Sequence, residues 1–418
     1  MFRKLLSFEE TKQLLAQSIS PVPVGEERIS ISDAHDRVLA QDVVSPMDIP
    51  PFSRSTVDGY AVKAADTFGA SEDKDINLRV CGHVAIGEAP AVTVKEGSAA
   101  EIVTGAPLPD GADAVVMVEY TSRQENNVFV RRPVARNTNI MTKGSDIHKG
   151  ETVLKKCRIL GSREIGALAA IGLTEVAVYK RPKVAVLSTG GEVVEPGKAL
   201  PPGKIYDINA HTLSAAVLEC GGEAINLGIV PDEKDKMKSA LEQALASADV
   251  ILTSGGVSVG PKDFTPQVVD SLGKPGVIIS GVAVKPGKPL TIAVVDGKPV
   301  FSLPGNPTSS LFMFSVFVRP VLLRLAGRTE EEIPKVRAVA AQKMFPARGR
   351  RTFVMVNLNY DKNGKLTASP VPIGLSGAIT TLSKADGFVE ISENQQFVDV
   401  GTKIDVYLFG KYCKAKNT

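Results

Sequence analysis

The chain has 418 residues, of which 43% are hydrophobic and 23% charged, the usage of an ordinary protein of two to four folded domains and not of a disordered or fibrous chain. Lys and Arg number 49 against 46 Asp and Glu, a formal net charge of +3, too small a surplus to draw the whole chain to nucleic acid or to a membrane surface. Aromatic residues are 5% and Trp is absent, which argues against base-stacking platforms.

In chain order, Ser7-Phe8-Glu9-Glu10 is a capping-box pattern ahead of Leu14 and Leu15 and predicts a short helix, broken by residues 19–25. Residues 28–62 mix short apolar pieces with turns. Residues 76–134 contain the strand-like segments INLRVCGHVAIG, SAAEIVTG, DAVVMVEY and NVFVRRPV, a small all-β module. Gly161-Ser162-Arg163-Glu164 opens a helix through Ala170, with Gly172 at its stop. After Arg181-Pro182 the pattern changes. KVAVL is a continuous apolar run, as a buried parallel strand requires. A helix from Asn209, strand EAINLGIV, helix 232–247, strand DVILTSGG, a helix near 264–272, strands VIISGVAV, TIAVV and VFSL and helix 307–326 follow. This alternation predicts an α/β domain with a mainly parallel sheet. Residues 335–412 return to short strands and Gly turns, a second small β domain.

Cys81, Cys157, Cys220 and Cys413 show no C-x-x-C, and His35, His83, His148 and His211 complete no zinc spacing. The cysteines therefore read as reduced packing thiols of a cytoplasmic protein, and a His-dependent triad is not expected. MFRKLLSFEE has no apolar signal segment, and no apolar run in the sequence approaches the ~20 residues that span a bilayer. Neither a membrane nor a nucleic-acid partner is expected.

Three loops fall at strand C-termini, where open α/β sheets bind ligands: Ser188-Thr189-Gly190-Gly191-Glu192, the run from Thr253-Ser254-Gly255-Gly256 through Ser258 to Asp263, and Pro304-Gly305-Asn306-Pro307. Glycines let the backbone turn its N–H groups onto a phosphate. Asn306 is a good N-cap with Pro307 at the first helical position, so the helix N-terminus favours an anion. One such loop would read as an ordinary turn, whereas three in one domain favour an anion site. Lys285-Pro286-Gly287-Lys288-Pro289 holds two ammonium groups three residues apart. The segment suits an oxyanion clamp or a solvated turn equally well. Acids recur beside Gly or hydroxyl residues at Asp58, Glu192, Asp207, Asp232 and Asp263. Together near phosphates they would form a Mg²⁺ site, while singly Asp232 reads as a helix cap and Asp58-Gly59 as a turn.

These motifs together resemble the MoeA family, the molybdopterin molybdenumtransferases, which includes the gephyrin E domain. PPFSRSTVDGYAV (50–62), IVTGAPLPDGADAVVMVE (102–119), Lys143-Gly144-Ser145-Asp146-Ile147, LSTGGEVV, Tyr206-Asp207-Ile208-Asn209, Val230-Pro231-Asp232, TSGGVSVGPKDF, VKPGKP, SLPGNPTSS and Gly374-Leu375-Ser376-Gly377 follow in family order along the whole chain. The resemblance implies an α/β and β multidomain fold. Its parts are a central three-layer, MogA-like α/β domain at 181–327, a small β module at 46–140, a discontinuous linker domain at 1–45 and 141–180, and a barrel-like C-terminal β domain at 328–418. It implies metal insertion from molybdate, or tungstate, into adenylylated molybdopterin with Mg²⁺-assisted release of AMP. A homodimer is implied, with an adenylyltransferase and the receiving molybdoenzymes as partners. On the family pattern Asp58, Thr104 and Asp146 face Glu192, Asp232 and Asp263 across the dimer as catalytic residues, the latter three also as metal ligands. Ser188, Thr189, Gly190, Gly255, Gly256, Ser258, Gly305 and Asn306 would hold the pterin and its phosphates. Lys285, Lys288, Pro289, Arg350 and Ser376 would hold molybdate. The sequence departs from the family's G-R-x-x-F-x-R stretch, where Met355 replaces the second arginine and leaves Arg350 or Arg351 to substitute. The α/β domain alone also resembles molybdopterin adenylyltransferases and CinA-type proteins, which lack the DGYAV and TGAP segments. A gephyrin-like scaffold would need an exposed aromatic stripe in 335–418, and the sequence pattern offers none.

Overall fold

The computed structural model describes residues 5–256, 265–328, 333–371 and 380–409. It contains two compact units. One comprises Arg28–His35 with Gln41–Val176, and the other Met1–Glu27, Asp36–Ala40 and Ala177–Thr418. Helix α1 (Phe8–Ser18) opens the chain with the expected capping box, in which the Ser7 hydroxyl accepts the Glu10 amide and the Glu10 carboxylate accepts the Ser7 amide.

The unit built on 41–176 holds one six-stranded sheet of β1 (Gly59–Val62), β2 (Ile76–Val84), β3 (Ser98–Ile102), β4 (Ala114–Met117), β5 (Thr121–Gln124) and β6 (Asn127–Val130), in the order β4-β1-β3-β2-β6-β5. Only β2 and β3 are parallel. Tyr60, Val62, Leu78, Val116, Val128 and Val130 fill its core. Gly59 is required by close approach, since a Cβ there would stand 1.9 Å from the Val116 carbonyl oxygen. Helix α2 (Ser162–Ala170) begins where expected. Glu164 accepts the Gly161 amide and binds Arg158, which holds its carboxyl below the usual range.

In the other unit, β7 (Lys183–Thr189), β8 (Glu223–Val230), β9 (Val250–Ser254), β10 (Pro275–Ser280), β11 (Thr291–Val295) and β12 (Lys298–Leu303) form a sheet in the order β8-β7-β9-β12-β11-β10. The first three pairings are parallel, and the last two are antiparallel. α3 (Asn209–Glu219) and α6 (Pro307–Leu325) pack on one face, and α4 (Lys234–Ser247) and α5 (Thr265–Leu272) on the other. The segment VIISGVAV divides. Its first half ends in β10, and Val284–Lys285 pairs in parallel with the C-terminal domain instead. There, β13 (Lys335–Ala340), β14 (Arg351–Tyr360), β15 (Leu366–Pro370), β16 (Gly387–Ile391) and β17 (Lys403–Leu408) run in the order β14-β15-β13-β17-β16, and β16 pairs back onto β14. The result is a closed five-stranded barrel. Rings join α1, α6 and the barrel into one core: Phe8 lies 5.7 Å from Phe317 and 5.4 Å from Phe353, and Phe312 lies 4.5 Å from Phe353.

Three expectations change. α6, expected as a helix, has 19 residues and is long and apolar enough to cross a membrane by length and composition, although no continuous apolar run signalled it. Its Phe312, Met313, Phe314, Phe317, Val318, Val321 and Leu322 are nevertheless buried in the core. Of the described cysteines only Cys220 is a buried packing thiol, and burial pushes it up to about 12; Cys81 is exposed and Cys157 half-buried. An exposed aromatic pair does exist on the barrel, because the Met344–Val398 bridge brings Phe345 and Phe397, 52 positions apart in sequence, to 6.4 Å with Lys343 over Phe397. Antiparallel pairing, not local pattern, assembles it.

Candidate active site

The parallel register sets Ser188 opposite Ser254, Leu187 opposite Thr253 and Thr253 opposite Ser302. Three hydroxyl-bearing strand ends thus stop level at the carboxyl edge of the sheet. The loops beyond them close on one another. The Gly255 amide donates to the Leu303 carbonyl at 3.2 Å, and the Thr189 hydroxyl to the Ser254 carbonyl at 3.4 Å. A Cβ on Gly305 would lie 3.5 Å from the Gly255 Cα. Gly255 has φ +94°, and a Cβ there would meet the Thr189 carbonyl oxygen at 2.4 Å, so only glycine fits. Asn306 caps α6, accepting the Ser309 amide at 3.4 Å with Pro307 in the first turn. Ser188, Thr189, Gly190, Gly255, Gly256, Gly305 and Asn306 are therefore gathered at one end of one sheet. Ser258 lies outside the described residues.

Asn209, which opens α3, carries no role in the sequence expectations, yet it sits at the junction of these loops. Its Nδ2 donates to the Ser254 hydroxyl at 2.7 Å and to the Gly305 carbonyl at 2.8 Å, tying the turn after β9 to the turn after β12. Its Oδ1 and the Ser188 hydroxyl are buried without a hydrogen-bond partner among the described residues. The available signal was its place behind Tyr206-Asp207 at a helix start. Asp207 is buried and caps that helix through the Ala210 amide at 3.0 Å.

Glu192 and Asp232 both attend the turn after β7. Asp232 Oδ2 accepts the Gly191 amide at 3.3 Å and does not cap α4, whose cap position is Glu233 and has no side-chain cap bond. The Glu192 carboxylate oxygens stand 2.8 and 2.9 Å from where a Gly190 Cβ would be, and the Lys204 ammonium binds the Gly191 carbonyl. Asp263 lies outside the described residues, and no group of three or more His, Cys, Asp or Glu is poised for a metal among those described. Glu192 of this turn and Asp232 of the loop after β8 are both exposed carboxylates, the donor type that Mg²⁺ takes together with water and substrate phosphates.

The basic segment stands against the barrel. Val284 pairs opposite Arg351 and Lys285 opposite Thr352. Lys285 is exposed, Lys288 and Pro289 are half-buried, and the Val282 amide closes the turn on the Lys288 carbonyl at 3.0 Å. Gly287 has φ +105° and packs against Met313. The two candidate arginines differ in their surroundings. Arg351 is held by Glu9, Glu390 and Glu393. Arg350, in the turn before β14, has no ion pair among the described residues. Met355 is buried in the apolar core. Ser376 lies outside the described residues.

In the other unit, the Asp58 carboxylate accepts the Thr104 amide at 2.7 Å and the Thr104 hydroxyl at 2.8 Å, bonds that hold its carboxyl below the usual range. Asp146 is exposed, and its amide donates to the Ile49 carbonyl at 3.0 Å. The segments that carry these residues are laced together. Ile140 pairs opposite Ser55, the Ser55 carbonyl accepts the Gly105 amide at 2.8 Å, and the Lys143 amide donates to Ser53 at 3.1 Å.

Comparison with known proteins supplies the family. Residues 6–172 match the model of the MoeA N-terminal region (domain I and II), 185–324 the probable molybdopterin binding domain, and 337–409 the MoeA C-terminal region (domain IV). The chain is 35% identical over 383 residues to molybdopterin molybdenumtransferase 2 of Mycobacterium tuberculosis, covering 91% of this chain and 94% of that one. It is 32% identical over 411 residues to the molybdopterin molybdenumtransferase of Staphylococcus aureus, covering 97% and 96%. The crystal structure of the molybdopterin biosynthesis MoeA protein from Pyrococcus horikosii superposes with a TM-score of 0.87 at 42% identity, covering 98% of this chain and all of that one. Whole-length similarity in sequence and in fold, with the three regions in one order, shows that the chain belongs to the MoeA family of molybdopterin molybdenumtransferases.

Proposed function

We propose that the protein is a molybdopterin molybdenumtransferase that acts late in molybdenum-cofactor synthesis, inserting metal from molybdate into adenylylated molybdopterin with release of AMP. The observation that carries this reading is the convergence of three glycine–hydroxyl loops at the ends of β7, β9 and β12 beside an Asn306-capped helix start. Backbone N–H groups and a helix N-terminus suit phosphate oxygens, and the buried acceptors of Asn209 and Ser188 suit the N–H groups of a pterin. Gly190, Gly255, Gly256 and Gly305 let the phosphoanhydride approach the backbone.

Lys285, Lys288 and Arg350 bind the tetrahedral dianion, with Pro289 stiffening the segment and Ser376 adding a hydroxyl. Molybdate and tungstate are matched alike by these donors. An oxygen of the bound oxyanion attacks the molybdopterin-side phosphorus, the anhydride P–O bond breaks and AMP leaves with its electron pair, and the dithiolene sulfurs then take the metal from the phosphate, so no protein nucleophile is needed. Glu192, Asp232 and Asp263 would hold Mg²⁺, which when bound offsets charge on the phosphate being cleaved. Asp58, held by Thr104, and Asp146 complete the acidic set. The active form is a homodimer in the cytoplasm, served by an adenylyltransferase and delivering to molybdoenzymes. Incubation of the pure protein with adenylylated molybdopterin, Mg²⁺ and molybdate tests the reading. AMP release that depends on molybdate, lost in Glu192→Gln and Asp232→Asn, is the expected result. Formation of adenylylated molybdopterin from ATP instead would make the protein an adenylyltransferase.

A further inference from the structure

The segment that carries Lys285 and Lys288 borrows its shape from both neighbours. On one side lies Leu6, two residues ahead of α1: its amide donates to the Gly281 carbonyl at 3.4 Å, and its carbonyl accepts the Ala283 amide at 2.8 Å. A Cβ on Gly281 would strike Leu5 at 2.6 Å, so this approach leaves no room for a side chain. On the other side the Arg351 amide donates to the Ala283 carbonyl at 3.2 Å, and β14 pairs with Val284–Lys285.

The Arg351 side chain joins these two supports. It is only 15% exposed and reaches Glu9 of α1 at 2.5 Å, Glu390 of β16 at 3.1 Å and Glu393 at 3.2 Å. Its guanidinium carbon lies 5.0 Å from the centre of the Phe8 ring. A planar fork with five donors can serve three carboxylates and a ring face at once, which an ammonium cannot. Burial alone would push this guanidinium down, but the bonds from Glu9 and Glu393 with the field of Glu390 raise it, so its charge is secure. Without it, three carboxylates would be left uncompensated around the start of β14, the strand that pairs with Val284–Lys285.

On the reading of Lys285, Lys288 and Arg350 as the oxyanion clamp, we propose that Arg351 is the positioning residue of that clamp. It locks α1 to the edge formed by β14 and β16, so that the Gly281–Lys288 segment presents its ammonium groups at a set spacing. It also neutralises carboxylates that would compete with the oxyanion.

The test compares full-length Arg351→Met and Glu9→Gln with the unaltered protein. It measures KM for molybdate, KM for adenylylated molybdopterin, kcat, and direct molybdate binding by calorimetry. Arg351→Met should raise KM and Kd for molybdate about tenfold, the scale of a coupling lost from a charge network, with KM for adenylylated molybdopterin unchanged. Glu9→Gln should shift molybdate alone, in the same direction and by less. An unchanged molybdate Kd in Arg351→Met, or a parallel loss of both substrates, overturns the proposal. Should Arg351→Met fail to fold, an unchanged molybdate Kd in Glu9→Gln overturns it by itself. An unaltered protein that binds molybdate but releases no AMP refutes the transferase reading, while the binding arm still decides the role of Arg351.

Discussion

Asp58 is exposed, yet one residue gives it two hydrogen bonds, from the amide and the hydroxyl of Thr104. The amide bond is the larger cause of its lowered pKa. A lowered native value means the clasp contributes above the ordinary carboxylate range and is lost as pH falls through that lowered value. The Thr104 amide resonance should therefore titrate on acidification with a midpoint below that of a free aspartate. In Asp58→Asn that inflection should vanish, and an unshifted midpoint in the unaltered protein would refute the clasp. The Asp58-Gly59 pair read locally as a turn. What fixes it is Val116, 57 positions on from Gly59, whose carbonyl excludes any side chain there. Arg350 and Arg351 were likewise indistinguishable by type. Their difference lies in Glu9, Glu390 and Glu393, all distant in sequence.

At the scale of elements, α1 and α6 were legible because their start signals are local: the Ser7–Glu10 box and the Asn306-Pro307 pair each act within one turn. The cap at Asn306 can be separated from its proposed phosphate role. Asn306→Ala should lower stability by about 1 kcal/mol, read as a shift of the thermal midpoint. Asn306→Asp should keep that stability, since Asp caps as well as Asn, but weaken adenylylated-molybdopterin binding because its charge opposes an anion at the helix start. Equal affinity in Asn306→Asp and the unaltered protein would remove the phosphate from that helix end. Less legible was the fate of VIISGVAV, a single apolar run that serves two sheets. The antiparallel hairpin of β11 and β12 also escaped the alternation rule, since its turn at Asp296-Gly297 is a two-residue signal inside an apolar stretch.

For the whole molecule, the proposed homodimer should run at twice the 44.2 kDa chain mass in light scattering. Its shared site predicts complementation between protomers. Asp58→Ala and Glu192→Ala should each be inactive alone, and mixing after subunit exchange should recover about a quarter of full activity, since half the dimers are mixed and each carries one intact site. No recovery despite demonstrated exchange would place every catalytic residue of a site in one protomer. The sequence by itself determined the ordered motifs, the family they resemble, the α/β pattern of 181–327 and the loops at strand ends, because periodicity, caps and glycine runs act over a few residues. Only the tertiary structure decided the barrel closure through β16 on β14, the joining of the Lys285 segment to β14, the pin at Asn209 and the spending of Arg351 on three carboxylates. Each of these depends on strand register and on partners far apart in the chain, which a local pattern does not encode.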